Sequence, residues 1–206
     1  MLGCRPLSEG EIEDVLECFG GPFAHRDRLL FVLGCATGFR VSELLSLAIG
    51  SVWRSGRMRS EVRVSRKNTK GKKSGRTVPL CEAVDPFLRA CLGARALAGP
   101  LEPREPLFIS RKGAARPISR IQAYRILRDA FDAAGIDLST PGTHTLRKTF
   151  ASRVFESLHG DIFLTQHALG HKSPSSTLAY LSPDMPAINA AISKAFTAPL
   201  AQRPSG

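Results

Sequence analysis

Residues 25–38, HRDRLLFVLGCATG, predict a helix that is apolar around much of its circumference. A helix of this kind is stable in water only when other elements cover most of its sides. Apolar residues at helical spacing also occur elsewhere, for example Val15 and Phe19 before this segment and Leu146 and Phe150 far beyond it. The sequence therefore predicts a mainly helical domain in which residues 25–38 are buried.

Further helices are predicted where periodic apolar residues follow a capping residue. Ser8, Ser119, Thr143 and Asp161 each precede such a pattern, and Ser, Thr and Asp are residue types that cap helix N-termini. From Phe39 onward a new apolar stripe begins directly after a glycine. The predicted helices cover residues 8–19, 39–48, 85–98, 119–135, 143–158 and 161–169.

Between residues 58 and 80 the apolar period changes from helical to alternating. The runs 61–65 and 77–80 predict the two strands of a hairpin. Residues 63–76 include seven basic side chains and no acidic one, which would repel one another at a hairpin tip unless phosphates lay nearby. A merely solvated turn is the alternative interpretation. Together with the helices, the hairpin predicts an α+β fold that is mainly α with one small antiparallel β-sheet.

The charge of the chain favours a polyanionic partner. Lysine and arginine number 29 against 18 aspartates and glutamates, which leaves a formal net charge of +11. Nucleic acid is the first partner to expect, and an acidic membrane surface is a distant second. No apolar run approaches the roughly 18 residues of a membrane-spanning helix. We therefore expect a soluble, intracellular protein.

The five cysteines do not form a recognisable metal or redox motif. They include no CxxC pair, and no histidine follows them at zinc-finger spacing. Cysteine without such a motif usually behaves as a small apolar residue. We therefore expect reduced, mostly buried cysteines and neither a metal ion nor another cofactor.

Four polar positions have ordinary explanations when each is considered alone. Arg40 and Glu43 are three residues apart, as in a helix-surface ion pair of little energetic weight. His144 could cap a helix, and His171 could lie at a helix C-terminus. Tyr180, one of two tyrosines in the chain, could be a core tyrosine with its hydroxyl at the rim.

Taken together, the segments that hold these residues resemble the catalytic-domain motifs of the tyrosine recombinase, or phage integrase, family. The segments are ATGFRVSELLSL, HTLRKTFAS and LGHKSPSSTLAY, in this order. The hairpin ending GRTVPL resembles the basic hairpin that the family has between its first and second arginine motifs. Several separated motifs in register are far more specific than one pattern. The resemblance spans residues 7–185, nearly the whole chain.

The resemblance implies that a tyrosine cleaves a DNA phosphodiester without a metal ion or ATP. Arg40 and Arg147 would hold the phosphate oxygens with planar, permanently charged forks. His144 would accept or shuttle the proton of the nucleophile Tyr180, and His171 would donate a hydrogen bond to the same phosphate. Glu43 would have a supporting role behind the first arginine.

The family also implies a lysine in the hairpin that gives a proton to the leaving 5′-oxygen. Lys70 is the preferred candidate by its distance from the VPL strand, and Lys67 is the alternative. The implied catalytic set is therefore Arg40, Lys70, His144, Arg147, His171 and Tyr180. The basic residues that we expect to contact DNA are Arg63, Arg66, Lys67, Lys72, Lys73, Arg76, Arg111, Lys112, Lys148 and Lys172.

Two departures from the family pattern concern Lys148 and the N-terminus. The family often has histidine where Lys148 stands, at a position outside the catalytic set. Most relatives also carry a separate helical domain that clamps the other face of DNA, whereas the motifs begin almost at once here. We expect a catalytic domain over residues 1–183 and a C-terminal helix with a flexible tail over 184–206. The chain is then either a one-domain enzyme or a fragment of a longer protein.

The family analogy further implies a synaptic tetramer on two double-stranded DNA sites. In such an assembly the helix after residue 184 could dock into a neighbouring protomer or pack on its own domain. An accessory or regulatory DNA-binding protein that derives from an integrase and lacks catalysis is the competing interpretation, because basic charge and helices would look the same. A type IB topoisomerase would use the same nucleophile and matches the spacing less well.

Overall fold

The computed structural model of the chain describes residues 4–65, 75–111, 113–137 and 142–170, together with Ala190. The helices are α1 (Glu9–Glu17), α2 (Ala24–Thr37), α3 (Val41–Leu44), α4 (Ile49–Val52), α5 (Asp85–Ala96), α6 (Arg120–Ala133), α7 (Thr143–Ser157) and α8 (Ile162–Leu169). The strands are β1 (Trp53–Arg54), β2 (Arg57–Met58), β3 (Glu61–Val64), β4 (Arg76–Pro79), β5 (Ile109–Ser110) and β6 (Gly113–Pro117). The predicted α+β fold class, mainly α with a minor antiparallel β component, is confirmed.

Helix α2 is buried on opposite sides, as its sequence predicts. Leu30 and Leu33 belong to a core that α2 shares with the β3–β4 hairpin and α5. Phe31 belongs to a second core with α1, α6 and α7, where its ring lies 5.8 Å from that of Phe19 and 6.2 Å from that of Phe131. The helix therefore joins the two cores and supports the elements that carry the polar site.

Gly38 ends α2 in the left-handed conformation, with φ of 57°. This is the usual helix C-cap geometry, which a residue without a Cβ adopts most easily. The turn that follows leads directly into α3, so that Arg40 is the N-cap residue of α3. Arg40, the first arginine of the site, therefore lies two residues after the C-terminal glycine of α2.

The predicted hairpin is present, but the prediction of one sheet is wrong. Strands β3 and β4 pair antiparallel from Glu61 opposite Pro79 to Val64 opposite Arg76. Two further two-stranded antiparallel sheets, β1–β2 and β5–β6, occur within the described part of the chain. Strands β1, β2 and β5 have two residues each, too short for an alternating pattern to be recognised in the sequence.

Two predicted helix starts and ends also differ from the structure. The helix predicted over 39–48 is the four-residue α3 followed by a turn and α4. The N-cap of α7 is Gly142 and not Thr143, and no side chain makes the capping hydrogen bond there. The caps predicted at Ser8, Ser119 and Asp161 are confirmed, since each side chain accepts a backbone N–H of the following turn.

The N-terminal segment is attached to α7 by a buried hydrogen bond. The backbone N–H of Leu7 donates to Oγ1 of Thr149 at 2.9 Å. The same hydroxyl donates to the carbonyl of Thr145, one turn earlier, also at 2.9 Å. The beginning of the described chain therefore packs against the middle of α7.

The five cysteines carry free thiols, but the prediction that they are mostly buried is wrong. Cys91 is buried, Cys4, Cys18 and Cys35 are half-buried, and Cys81 is exposed. The burial of a cysteine that lies outside any recognisable motif therefore could not be predicted from this sequence. Within the described residues, no helix is both long enough and apolar enough to cross a membrane.

Candidate active site

The first polar pair of the site lies on the turn between α2 and α3. The backbone N–H of Arg40 donates to Oε2 of Glu43 at 2.7 Å, and Nη1 of Arg40 lies 3.2 Å from Oε1 of the same carboxylate. The Glu43 side chain is 1% exposed, whereas that of Arg40 is 33% exposed. Glu43 thus caps α3 and orients a guanidinium that still reaches solvent.

The second arginine, Arg147, lies on α7 and is almost completely buried, with 1% exposure. Its Nη1 donates to the carbonyl oxygen of Gly38, and its Nη2 donates to that of Leu169 at 2.7 Å. These carbonyls belong to the C-terminal ends of α2 and α8, where helices leave acceptors without intrahelical partners. One guanidinium therefore joins the ends of two helices.

Arg76, at the start of β4, joins the same two helix ends. Its Nη2 donates to the carbonyls of Thr37 at 2.8 Å and Ala168 at 2.5 Å, and its Nη1 donates to that of Gly38 at 3.3 Å. Its guanidinium carbon also lies 5.1 Å from the ring centroid of Phe39. Arg76 and Arg147 thus both donate to the carbonyl of Gly38. At the end of α8 they donate to the adjacent carbonyls of Ala168 and Leu169.

The sequence placed Arg76 among the DNA-contacting residues of the hairpin and did not predict these bonds. A signal was present nevertheless. Arg76 and Val78 are two residues apart on β4, so their side chains lie on the same face of the strand. Val78 is buried, and Val64, which is paired with Arg76, is buried as well. The alternation therefore places Arg76 on the inner face of the hairpin.

Positive charge dominates the electrostatics of the site. Burial, assisted by the charge of Arg147, lowers the pKa of Arg76 to about 9; Arg40 acts in the same direction and Glu43 opposes both. This pKa is still above neutral pH, so Arg76 keeps its charge there. Among the described residues, the charged groups that act on Arg76 are two arginines and one carboxylate, which makes the site favourable for an anion.

His144 lies one helical turn before Arg147 at the N-terminal end of α7. Partial burial lowers the pKa of its imidazole, and the charges of Arg147, Arg40 and Lys148 lower it further. A histidine with a pKa below its usual value of about 6.5 is mostly neutral at pH 7. A neutral imidazole beside two arginines can accept a proton from a group that approaches a bound anion.

The structure brings five of the residues singled out in the sequence into one cluster: Arg40, Glu43, Arg76, His144 and Arg147. Lys148 is near enough to act on His144. Arg63 on β3 and Arg111 after β5 are exposed. The remaining predicted site residues lie outside the described residues: Arg66, Lys67, Lys70, Lys72, Lys73, Lys112, His171, Lys172 and Tyr180. In the part of the chain that is described, no group of three His, Cys, Asp or Glu side chains could share a metal ion.

Residues 5–186 match the Phage integrase family. The chain belongs to this family. The sequence-based family prediction is thereby confirmed, and the clustered arginines and histidine of this integrase-family protein lie in its matched region.

Curated relatives of this integrase-family chain are named as recombinases. The tyrosine recombinase XerD of Xanthomonas campestris pv. campestris is 35% identical over 187 residues, which are 85% of this chain and 54% of the relative. The probable integrase/recombinase YoeC of Bacillus subtilis is 34% identical over 159 residues, which are 77% of this chain and 78% of YoeC. The chain therefore spans about half the length of the XerD relative and a larger part of YoeC.

Solved structures of recombinases have the same fold as this integrase-family protein. The XerH site-specific recombinase bound to a palindromic difH substrate, in a post-cleavage complex, aligns with a TM-score of 0.73 and 28% identity. That alignment covers 91% of this chain and 52% of XerH. The XerA recombinase aligns with a TM-score of 0.71 and 26% identity over 94% of this chain and 66% of XerA.

Proposed function

We propose that this protein is a site-specific DNA recombinase that cleaves and rejoins double-stranded DNA through a covalent 3′-phosphotyrosine. The observation that carries the proposal is the convergence of Arg40, His144 and Arg147 at the joined ends of α2 and α8 in a member of the integrase family. The named recombinase relatives support the same activity. DNA is accordingly the proposed partner, in the bacterial or phage-like cytoplasm.

In the proposed reaction, the phenol oxygen of Tyr180 attacks the phosphorus and a new P–O bond forms as the bond to the 5′-oxygen breaks. Negative charge grows on the non-bridging oxygens during the attack. The guanidinium of Arg40, which reaches solvent, contacts these oxygens, and the fixed positive charge of the buried Arg147 stabilises them. His144 takes the phenol proton, and His171 donates a hydrogen bond to the phosphate. The ester keeps the free energy of the broken bond, so a 5′-hydroxyl from another strand can reverse the step without ATP.

The hairpin lysine completes the proton balance by giving a proton to the leaving 5′-oxygen. We propose Lys70 for this role, with Lys67 as the alternative. The exposed Arg63 and Arg111, with Lys148 and the other predicted basic residues except Arg76, supply phosphate contacts that position the DNA. We also propose a tetramer on two sites, with a catalytic domain over residues 1–183 and a C-terminal helix that either is exchanged between protomers or packs on its own domain.

The test is a covalent-trapping experiment on nicked duplexes that contain a randomised central sequence, because the target sequence is not known in advance. Cleavage near the nick releases a short fragment that diffuses away, so the phosphotyrosine adduct accumulates. Sequencing of the trapped DNA identifies the cleaved site. Digestion with trypsin and mass spectrometry should find the adduct on the peptide of residues 173–194, which contains Tyr180.

Tyr180→Phe should abolish the adduct and change DNA affinity by less than about 3-fold, because phosphate contacts dominate affinity. The other tyrosine of the chain offers a matched control. Tyr124 lies partly exposed on α6, and Tyr124→Phe should leave adduct formation unchanged. An adduct that persists in Tyr180→Phe would show that the nucleophile is assigned wrongly. Binding without any adduct in the wild type would favour the non-catalytic DNA-binding protein.

A further inference from the structure

Arg76 makes contacts that neither DNA binding nor the proposed chemistry requires. It is half-buried, and it donates to three backbone carbonyls on two different elements. A side chain that served only to contact DNA would extend into solvent. The arrangement therefore calls for a role inside the site.

The partners of Arg76 are the C-terminal ends of α2 and α8. Both helices end in a left-handed glycine, Gly38 with φ of 57° and Gly170 with φ of 62°. The last carbonyls of a helix lack intrahelical donors and carry the negative end of the helix dipole. Arg76 supplies donors and a positive charge to both ends. The contact with α8 is close, because a Cβ on Gly170 would lie 3.0 Å from Cδ of Arg76.

Arg147 depends on the same two helix ends for its orientation. It donates to Gly38 and Leu169, while Arg76 donates to the adjacent Thr37 and Ala168 and also to Gly38. Arg40 follows Gly38 by two residues. A shift between α2 and α8 would therefore move the acceptors of Arg147 and the backbone that carries Arg40.

We propose that Arg76 is a positioning residue that fixes the ends of α2 and α8 to each other and thereby places Arg40 and Arg147 for the phosphate. The inference rests on the proposed function. Arg76 acts through the two other arginines and does not itself touch the reacting atoms. A displacement of catalytic groups by about 1 Å, caused by a mutation away from the reacting atoms, can cost about 100-fold in rate.

The test compares Arg76→Met and Arg76→Lys with the wild type on two substrates. One has an ordinary phosphodiester at the cleaved position. The other has a methylphosphonate there, in which a methyl group replaces one charged oxygen and removes the need for a neutralising cation. Arg57 on β2 is exposed, and Arg57→Met is the matched control for the same chemical change.

We expect Arg76→Met to slow cleavage of the phosphodiester by up to about 100-fold and cleavage of the methylphosphonate by less than about 3-fold, because arginine placement matters most where charge is neutralised. DNA affinity should change by less than about 3-fold, since many other phosphate contacts remain. Arg76→Lys should fall between Arg76→Met and the wild type on the phosphodiester, because lysine keeps the charge without the planar fork. Arg57→Met should match the wild type on both substrates.

Equal losses on both substrates would overturn the proposal, as would wild-type rates in Arg76→Met or a fall in DNA affinity as large as the fall in rate. If Arg76→Met does not fold, the comparison of the two substrates is made with Arg76→Lys instead.

Hydrogen exchange without DNA tests the contact of Arg76 with the two helix ends independently of catalysis. Amides of residues 38–40 and 168–170 should exchange faster in the Arg76 variants than in Arg57→Met. If the wild type forms no adduct, the proposed function fails, and unchanged exchange would separately refute the contact.

Discussion

Each arginine of the site is held by groups that are present before any substrate arrives. Glu43 orients Arg40 through its backbone N–H and its side chain, and backbone carbonyls orient Arg147. Donors that are fixed in advance need no reorganisation when charge develops on a phosphate. The burial of Glu43, with 1% exposure, keeps water from competing for the pair.

At the same scale, the lowered pKa of His144 predicts how cleavage depends on pH. Partial burial and three neighbouring cations favour the neutral imidazole, so a lower pH than usual is needed to protonate it. The pH dependence of kcat/KM reports the groups of the DNA-free protein. Measured at limiting DNA, the rate should fall as the imidazole of His144 becomes protonated, and the midpoint of this fall should lie below the ordinary pKa of about 6.5.

His144→Gln should lower the cleavage rate and remove the decrease at acidic pH, because glutamine cannot take up the proton. Tyr124→Phe should keep the wild-type profile. A decrease centred above pH 6.5 in the wild type would contradict the lowered pKa, and an unchanged acidic limb in His144→Gln would assign that limb to another group.

Several residues of the site were predictable from spacing, and one role was not. Arg40 with Glu43 and His144 with Arg147 each lie three apart, so a helix or helix start brings each pair together. Arg76 was noted for its charge, although its contacts depend on which face of β4 points inward. Backbone acceptors such as the carbonyl of Gly38 leave no trace in a sequence pattern, because every residue has one.

At the scale of elements, the long helices were predictable because an apolar period and a capping signal agree. Helix α8 begins after Asp161 and ends at Gly170, and both signals are visible in the sequence. Helix α3 was predicted too long because Leu45 and Ala48 continue the apolar stripe of a helix that has already ended. Tertiary packing, which buries Leu45 in a turn, overrides the local period there.

Gly38 provides a prediction for the junction of α2 and α3. A Cβ at this position would lie 2.4 Å from Cδ1 of Phe150, and φ is 57°. The left-handed conformation costs a residue with a Cβ about 1–2 kcal/mol, and overpacking adds about 1–3 kcal/mol. Gly38→Ala should therefore lower the free energy of unfolding by about 2–5 kcal/mol, as measured by urea denaturation.

Gly10 is the matched control for this substitution. It lies in α1 with nothing within 4 Å of an added Cβ and without a positive φ. Gly10→Ala should raise the free energy of unfolding by about 0.4–1 kcal/mol, because alanine restricts the unfolded chain and favours the helix. Equal effects of the two substitutions would show that neither the clash nor the backbone conformation at Gly38 matters.

At the scale of the whole molecule, charge and fold serve different purposes. The net charge of +11 indicates a polyanionic partner without specifying where it binds. The fold then concentrates three arginines at the ends of α2 and α8, where Glu43 pairs with Arg40 and its charge acts on Arg76. The amino-acid composition thus accounts for the general attraction of a polyanion to the protein. The fold accounts for the defined anion site, because it brings the arginines together.

The charge predicts a strong dependence of duplex binding on salt. Each neutralised phosphate releases counterions, so the logarithm of the association constant falls linearly with the logarithm of the salt concentration. If about four phosphates are contacted, affinity for a duplex of arbitrary sequence should fall about 100-fold between 50 and 200 mM salt. Fluorescence anisotropy with a labelled duplex measures this slope. Tyr180→Phe should show the same slope, and a slope near zero would contradict binding through phosphates.

The carbonyl acceptors of Arg76 and Arg147 have a consequence for how this protein can diverge. Backbone oxygens are supplied by every amino acid, so a change of side chain at position 168 leaves the bond from Arg76 available. Substitutions at such positions leave the hydrogen bonds from Arg76 in place, whereas a substitution of Arg76 removes three hydrogen bonds at once. Substitutions at the end of α8 can therefore leave these hydrogen bonds in place, provided that the two arginines and the glycine turn are kept and that the buried Leu169 stays apolar.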